Sequence, residues 1–342
     1  MISPQENIDL YPYTYMKTGG TARYFFTVKS IAELQEAILF AKGNNLSWFV
    51  LGGGSNVLIS DKGFNGVVIK NEITGVSYAE KNGGVEVIAG AGENWDDLVA
   101  DTVEKGLYGL ENLSLIPGSV GAAPVQNIGA YGAEIKEVIT WVEVFDTRLC
   151  AVKIFSPVEC QFSYRSSVFK KDTNPYIVTR VCMQLNTNGT VRTSYPDVQT
   201  FFKERAITDP ALPDVRNAVV FIRTEKLPPK GVGTAGSFFQ NPIVSIEQKD
   251  ALVRVYSDME WFPYSDTHVK LAAGWLIEHL SVGKGYLNVC VGTHKNQALV
   301  LVNFGEQNAQ EVYDFARRIQ SDVKERTYIT LLYEVNMIGA FT

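Results

Sequence analysis

Gly52-Gly53-Gly54-Ser55-Asn56 follows directly on Trp48-Phe49-Val50-Leu51, and a second small-residue run spans Pro117-Gly118-Ser119-Val120-Gly121-Ala122-Ala123-Pro124-Val125-Gln126-Asn127-Ile128-Gly129-Ala130-Tyr131-Gly132. A short apolar strand that stops at three glycines leaves consecutive backbone N–H groups able to form a nest for phosphate. By itself the first run is equally well a tight turn. It fits neither the G-x-G-x-x-G fingerprint nor a Walker loop, so an ordinary Rossmann or P-loop reading fails. The longer run lets main chain lie against a large flat ligand. Two such loops some 60 residues apart favour a nucleotide-containing cofactor over two unrelated turns.

Around these loops the pattern is mixed α and β. Ser30-Ile31-Ala32-Glu33 has the form of a capping box before a stripe of Leu34, Ile38, Leu39 and Ala41. Strands are predicted at Trp48–Leu51, Val57–Ile59, Val67–Ile69, Val85–Ile88, Val138–Phe145 and Tyr176–Val181. Asn94 predicts the cap of a helix carrying Trp95, Leu98, Val99 and Val103. Pro210, Pro213, Pro228 and Pro229 mark a boundary within 209–230. Beyond it, helices are expected at Gln248–Val255 and Ala272–His279, then a strand at Ala298–Val302. A helix capped by Asn308 is expected to run to about Val323, and Leu331–Val335 to close the chain as a strand.

At 342 residues the chain is too long for one ordinary core, so several domains are expected. Its formal charge of -6 argues against a nucleic-acid footprint, though a few cations suffice for an anionic small molecule. Cys150, Cys160, Cys182 and Cys290 show no CxxC spacing and read as buried thiols of a reducing compartment. His268, His279 and His294 lack metal-ligand spacing, and no GxSxG is present, so neither a metal site nor a nucleophilic hydrolase is expected. There is no basic-then-apolar leader and no run long enough to span a membrane. A cytoplasmic protein is the expectation.

A third segment, Gly231-Val232-Gly233-Thr234-Ala235-Gly236-Ser237-Phe238-Phe239-Gln240-Asn241-Pro242, sets a serine between glycines and two aromatics, where its hydroxyl is exposed but fixed. With the two glycine runs, Phe162-Ser163-Tyr164-Arg165-Ser166-Ser167-Val168-Phe169-Lys170, Gln297–Asn303 and Glu334-Val335 with Ile338-Gly339, it resembles the UDP-N-acetylenolpyruvoylglucosamine reductase family. The motifs run in order from about residue 12 to 340.

The resemblance implies an α+β, vanillyl-alcohol-oxidase-type (PCMH-like) FAD-binding fold of two α/β subdomains plus a C-terminal α+β substrate domain. The implied parts are 1–73 joined by 331–342, then 74–225, then 226–330. Non-covalent FAD would be held by Gly52, Gly53, Gly54, Ser55, Asn56, Gly118, Ser119, Gly121, Ala122, Gln126, Asn127, Ile128, Gly129 and Arg223. NADPH would be the hydride donor and UDP-N-acetylglucosamine enolpyruvate the substrate; the protein is expected to be a monomer. Tyr195 and Lys226 match the family's diphosphate-holding residues, the tyrosine being that of the longer type, and Asn241 and Gln297 are further substrate contacts. Arg165 and Glu334 match the groups that steady charge on the substrate carboxylate, and Ser237 the proton donor.

Two positions depart from the family pattern: Gln240 stands where a basic residue is usual, and Asn336 where arginine is. Each loses a cation, so altered affinity is expected rather than lost chemistry. Two other readings stay open on the residues alone. One is an oxidase of the same flavin fold, which would have no use for a serine proton donor. The other is a binding module without activity.

Overall fold

The computed structural model describes residues 2–171, 174–305 and 309–342. The chain forms two compact units. One holds the stretch up to Ile8, Ala22–Gly54 and Asn65–Thr224; the other holds Asp9–Thr21, Ser55–Phe64 and Glu225–Thr342.

In the first unit a four-stranded sheet has the order Gln5–Asp9, Thr21–Val28, Phe64–Asn71, Trp48–Leu51. The last two strands run parallel, with Leu51 opposite Lys70. Helix Ile31–Gly43 connects Thr21–Val28 to Trp48–Leu51. Ser30 caps it by accepting the Glu33 N–H at 3.2 Å. Leu34, Ala37, Ile38 and Ala41 bury one stripe against Phe26, Val28, Val67 and Ile69. Leu39 was expected in that stripe but is 49% exposed. One residue beyond Ile38 is turned about 100° away around a 3.6-residue helix, so it faces outward.

A second sheet in this unit is antiparallel throughout, in the order Ala151–Phe155, Ile139–Asp146, Tyr176–Leu185, Gly84–Gly90, Val76–Lys81. Helix Trp95–Glu104 follows Gly84–Gly90, its Asn94 side chain accepting from the Asp96 and Asp97 N–H groups. Trp95 is fully buried, and its indole N–H donates to Leu113 O at 2.9 Å, which satisfies the polar edge of a core aromatic. Helices Pro196–Glu204 and Leu212–Lys226 share a smaller core of Val198, Phe202, Val215 and Val219. The proline-marked span 209–230 is therefore largely helical. Pro213 falls in the first turn, where the missing N–H is no loss, and the helix ends before Pro228.

The second unit packs three short sheets around one core that includes Phe238, Phe239, Leu276, Leu301 and Phe315. Its helices are Ile246–Val255, Ala273–Leu280 and Ala309–Thr327. The expected Asn308 cap lies outside the described residues; Asp61 accepts from the Ala309 and Gln310 N–H groups at 2.9 and 3.1 Å. The helix continues past Val323 to Thr327. Strand Gln297–Asn303 covers the expected Ala298–Val302.

The closing strand is not Leu331–Val335. It is Asn336–Ile338, parallel to Val57–Ile59. Leu331 is buried, and Tyr333 lies in an aromatic cluster with Phe238 and Phe239, so packing rather than a ladder created the apolar pattern. Of the four cysteines, Cys160 and Cys182 are buried and the other two are half-exposed, against the expectation of four buried thiols. No helix among the described residues is long and apolar enough to cross a membrane.

Candidate functional site

Ser237 sits on a segment held from both sides within the second unit. On one side Phe238 N–H donates to Leu299 O at 2.9 Å, and Gly233 and Asn303 exchange hydrogen bonds at 2.8 Å. On the other, Gln240 N–H donates to Leu332 O and Glu334 N–H to Phe238 O, both at 2.9 Å. Phe238 and Phe239 are fully buried while Ser237 is exposed. The hydroxyl is thus presented to solvent on backbone that the core holds still.

Two glycines shape this segment for different reasons. Gly236 has φ +70° and open space around its Cα, so its need is conformational. At Gly233 a Cβ would come 2.3 Å from Met16 O, so its need is close approach.

Glu334 is half-buried and its N–H lies on the serine segment. Its carbonyl accepts from Asn56 Nδ2 at 3.1 Å. Asn336 in turn donates to Asn56 O through both its backbone N–H (3.1 Å) and its side-chain amide (3.2 Å). The end of the first glycine run is therefore latched to the glutamate-bearing segment. Asn336 uses its side-chain amide for this latch.

Asn241 Oδ1 accepts the Ala273 N–H at 3.0 Å, satisfying an orphan donor in the first turn of helix Ala273–Leu280. Gln297 lies beside the same turn, since a Cβ on Gly274 would meet Gln297 Oε1 at 2.7 Å. Lys226 ends its helix next to Glu225, whose carbonyl accepts from Asn296 Nδ2 at 2.7 Å.

In the first unit, Arg165 occupies the tip of a tight turn closed by reciprocal Ser163–Ser166 backbone hydrogen bonds of 3.0 and 3.2 Å. Its φ of +51° is left-handed, a conformation uncommon for a non-glycine residue and kept when its surroundings enforce it. The enforcement is visible. Asn127 Nδ2 donates to Ser163 O at 3.1 Å, Ser167 Oγ to Val125 O at 2.6 Å, and Arg165 itself to Gly129 O at 2.9 Å. The second glycine run and the arginine turn form one hydrogen-bonded body. Glu134 belongs to it through Asn127. Burial pushes its carboxyl upward, but bonds from Lys136 and Asn127 and the Arg165 charge outweigh that and leave it below its ordinary value.

The two glycine runs lie close together: a Cβ on Gly52 would stand 2.5 Å from the Ser119 side-chain Oγ and one on Gly53 2.7 Å from Gly118 Cα, while one on Gly121 would stand 2.5 Å from Ala91 Cβ, outside both runs. Such a bare backbone surface suits a flat anionic dinucleotide and admits no side chain in its place. Not all its amides are open to a ligand. Val120, Gly121, Ala122, Ala123, Asn127 and Ile128 donate to protein carbonyls.

Tyr195 packs edge-on against Tyr131 with ring centroids 5.2 Å apart. Burial pushes the Tyr131 hydroxyl up to about 12, with Arg223 pulling the other way. Arg223 Nε donates to Leu115 O at 3.1 Å, and burial holds its guanidinium below its ordinary value. Residues that the sequence did not single out include Asn112, which donates to Tyr131 O and Arg192 O at 2.9 and 3.0 Å. Lys70 is another, donating to Gly52 O. Neither carries a local motif; only strand pairing and loop contact bring them to the site. Among the described residues no group of three or more His, Cys, Asp or Glu side chains is placed to hold a metal ion.

A model of the FAD binding domain matches residues 22–148, and one of the UDP-N-acetylenolpyruvoylglucosamine reductase C-terminal domain matches 228–338. The UDP-N-acetylenolpyruvoylglucosamine reductase of Amoebophilus asiaticus is 40% identical over 98% of this chain and 99% of its own. That of Pseudomonas aeruginosa is 40% identical over 97% and 98%. The crystal structure of the reductase from Thermus caldophilus superposes with a TM-score of 0.69 at 25% identity, covering 99% of this chain and all of its own.

Proposed function

The chain belongs to the UDP-N-acetylenolpyruvoylglucosamine reductase family, and from that premise we propose what its residues do. It is an FAD-dependent, NADPH-using reductase of peptidoglycan synthesis that converts UDP-N-acetylglucosamine enolpyruvate to UDP-N-acetylmuramate. Its architecture is the α+β, vanillyl-alcohol-oxidase-type FAD-binding fold with a C-terminal α+β domain. When bound, FAD supplies the hydride exchange between NADPH and the enolpyruvyl double bond.

The remaining work belongs to the chain. The glycine surface of Gly52, Gly53, Gly54, Gly118, Ser119, Gly121 and Ala122 takes the dinucleotide, with Ser55, Asn56, Gln126, Asn127, Ile128, Gly129 and Arg223 around it. Arg165 grips the substrate carboxylate, for which a guanidinium held in one rotamer is suited. Glu334, half-buried, steadies the charge that develops there. Ser237 Oγ gives its proton to the carbon bearing the carboxylate. Tyr195 and Lys226 hold the diphosphate, and Gln297 and Asn241 contact the substrate. We assign 1–73 with 331–342 and 74–225 to the cofactor and 226–330 to the substrate, in a cytoplasmic monomer.

The observation that supports this most directly is the exposed Ser237 hydroxyl on core-held backbone, hydrogen-bonded through Phe238 O to the Glu334 N–H. The purified protein is expected to be yellow, to bleach with NADPH, and to regain colour on adding UDP-N-acetylglucosamine enolpyruvate without oxygen. Recovery by oxygen alone, with no response to that sugar, would point to an oxidase instead. Protein that binds no flavin would end both readings.

A further inference from the structure

We propose that Lys70 is a positioning residue for the first glycine run, holding the Gly52–Gly53 peptide in the orientation that receives a dinucleotide phosphate. The inference rests on the FAD-binding reading above and deepens it.

Lys70 lies near the end of strand Phe64–Asn71, opposite Leu51 of the parallel neighbour. Gly52 follows Leu51 directly, which brings the lysine alongside the turn, and the Lys70 ammonium donates to Gly52 O. A trans peptide is planar, so its carbonyl and the next N–H point in opposite directions. Anchoring Gly52 O on the lysine side turns the Gly53 N–H away from it, available to an anion.

The anchor matters because of what flanks the peptide. With no Cβ on either residue, a glycine–glycine peptide can flip at little steric cost, and a flipped peptide would show phosphate a carbonyl oxygen. Both glycines are needed for the close approach to Ser119 and Gly118, so rigidity cannot come from a bulkier residue at 52 or 53. It must come from outside the turn. A lysine on the adjoining strand supplies a charged donor at one fixed place. Burial lowers its affinity for the proton, with Glu72 acting in the opposite sense.

The test uses flavin-stripped protein titrated with FAD and, separately, with riboflavin, which lacks phosphate. Wild-type protein must bind FAD; if it does not, the cofactor reading itself fails, whatever Lys70 does. Given that it does, Lys70→Met is expected to raise the Kd for FAD on the order of tenfold or more, the usual worth of a charged hydrogen bond. The riboflavin Kd should stay where it was, and Lys70→Arg should recover FAD binding to within about threefold. A folded Lys70→Met protein that binds FAD as wild type does, or that loses riboflavin to the same extent, overturns the proposal. Should the methionine variant not fold, Lys70→Gln, one atom too short to reach Gly52 O, takes its place against Lys70→Arg. Equal FAD affinities of those two would likewise overturn it.

Discussion

The serine segment and the arginine turn hold a reactive side chain still in opposite ways. Ser237 is fixed by apolar packing: its two following residues are fully buried, and its backbone is laced between Leu299 and Glu334. Arg165 is fixed by polar contacts: its left-handed backbone is tied to the second glycine run through Asn127, Ser167 and its own guanidinium. A small hydroxyl has almost nothing of its own to pack, so the core must place it through its neighbours. A long cation must keep its charge hydrated or paired, so hydrogen bonds do the placing.

This contrast can be broken at several points. Ser237→Ala removes the proton donor without disturbing the packing that holds it. Turnover is expected to fall about 10²–10⁴-fold while thermal stability and NADPH-dependent bleaching of the flavin stay unchanged. A stopped-flow comparison of the two half-reactions reads this directly, and loss of the bleaching step instead would deny Ser237 its role.

Phe239→Ala attacks the placement rather than the donor. Truncating a fully buried phenylalanine costs about 3–5 kcal/mol, so the denaturation midpoint should drop strongly and activity should fall through loss of folded protein. Asn127→Ala tests the polar counterpart. The Asn127 amide also accepts the Lys136 N–H, so its loss removes part-buried hydrogen bonds to Lys136, Glu134 and Ser163, each worth about 0.5–1.5 kcal/mol. Here the Michaelis constant for the UDP-sugar should rise, because Arg165 loses its fixed turn; an unchanged constant would mean the turn stands without the asparagine.

The smallest effect concerns acid. The Glu134 carboxyl is depressed below its ordinary 4.5, so the stability it contributes is present above that pH and is lost as the pH falls through its folded value. Glu134→Gln should be less stable than wild type at neutral pH, and the gap should close as unfolding is measured at progressively lower pH below 4.5. A gap that stayed constant down to strong acid would show that the charge contributes nothing.

Features that depend on neighbours in the chain were readable from the amino acids. Ser30 and Asn94 cap their helices because a cap hydrogen bond reaches only two or three residues. The glycine runs announced close backbone approach, and Ser237 between glycine and aromatics announced an exposed, fixed hydroxyl. Features that depend on distant partners were not. Leu331–Val335 has the composition of a strand, yet its residues serve an aromatic cluster and the true strand starts at Asn336. The prolines of 209–230 marked a boundary, and the two units do divide at Thr224/Glu225, but a helix opened by Pro213 fills most of that span, which the prolines did not reveal.

The amino-acid sequence alone therefore determined the family and the α+β class, because motif spacing and caps are local. Tertiary structure decided how the candidate site residues are held: Asn336 latching Asn56 beside Glu334, Asn127 bracing the Arg165 turn, and Lys70 reaching Gly52 from the next strand. Such contacts join positions far apart in the chain, and only the paired strands and packed core bring them within hydrogen-bonding distance.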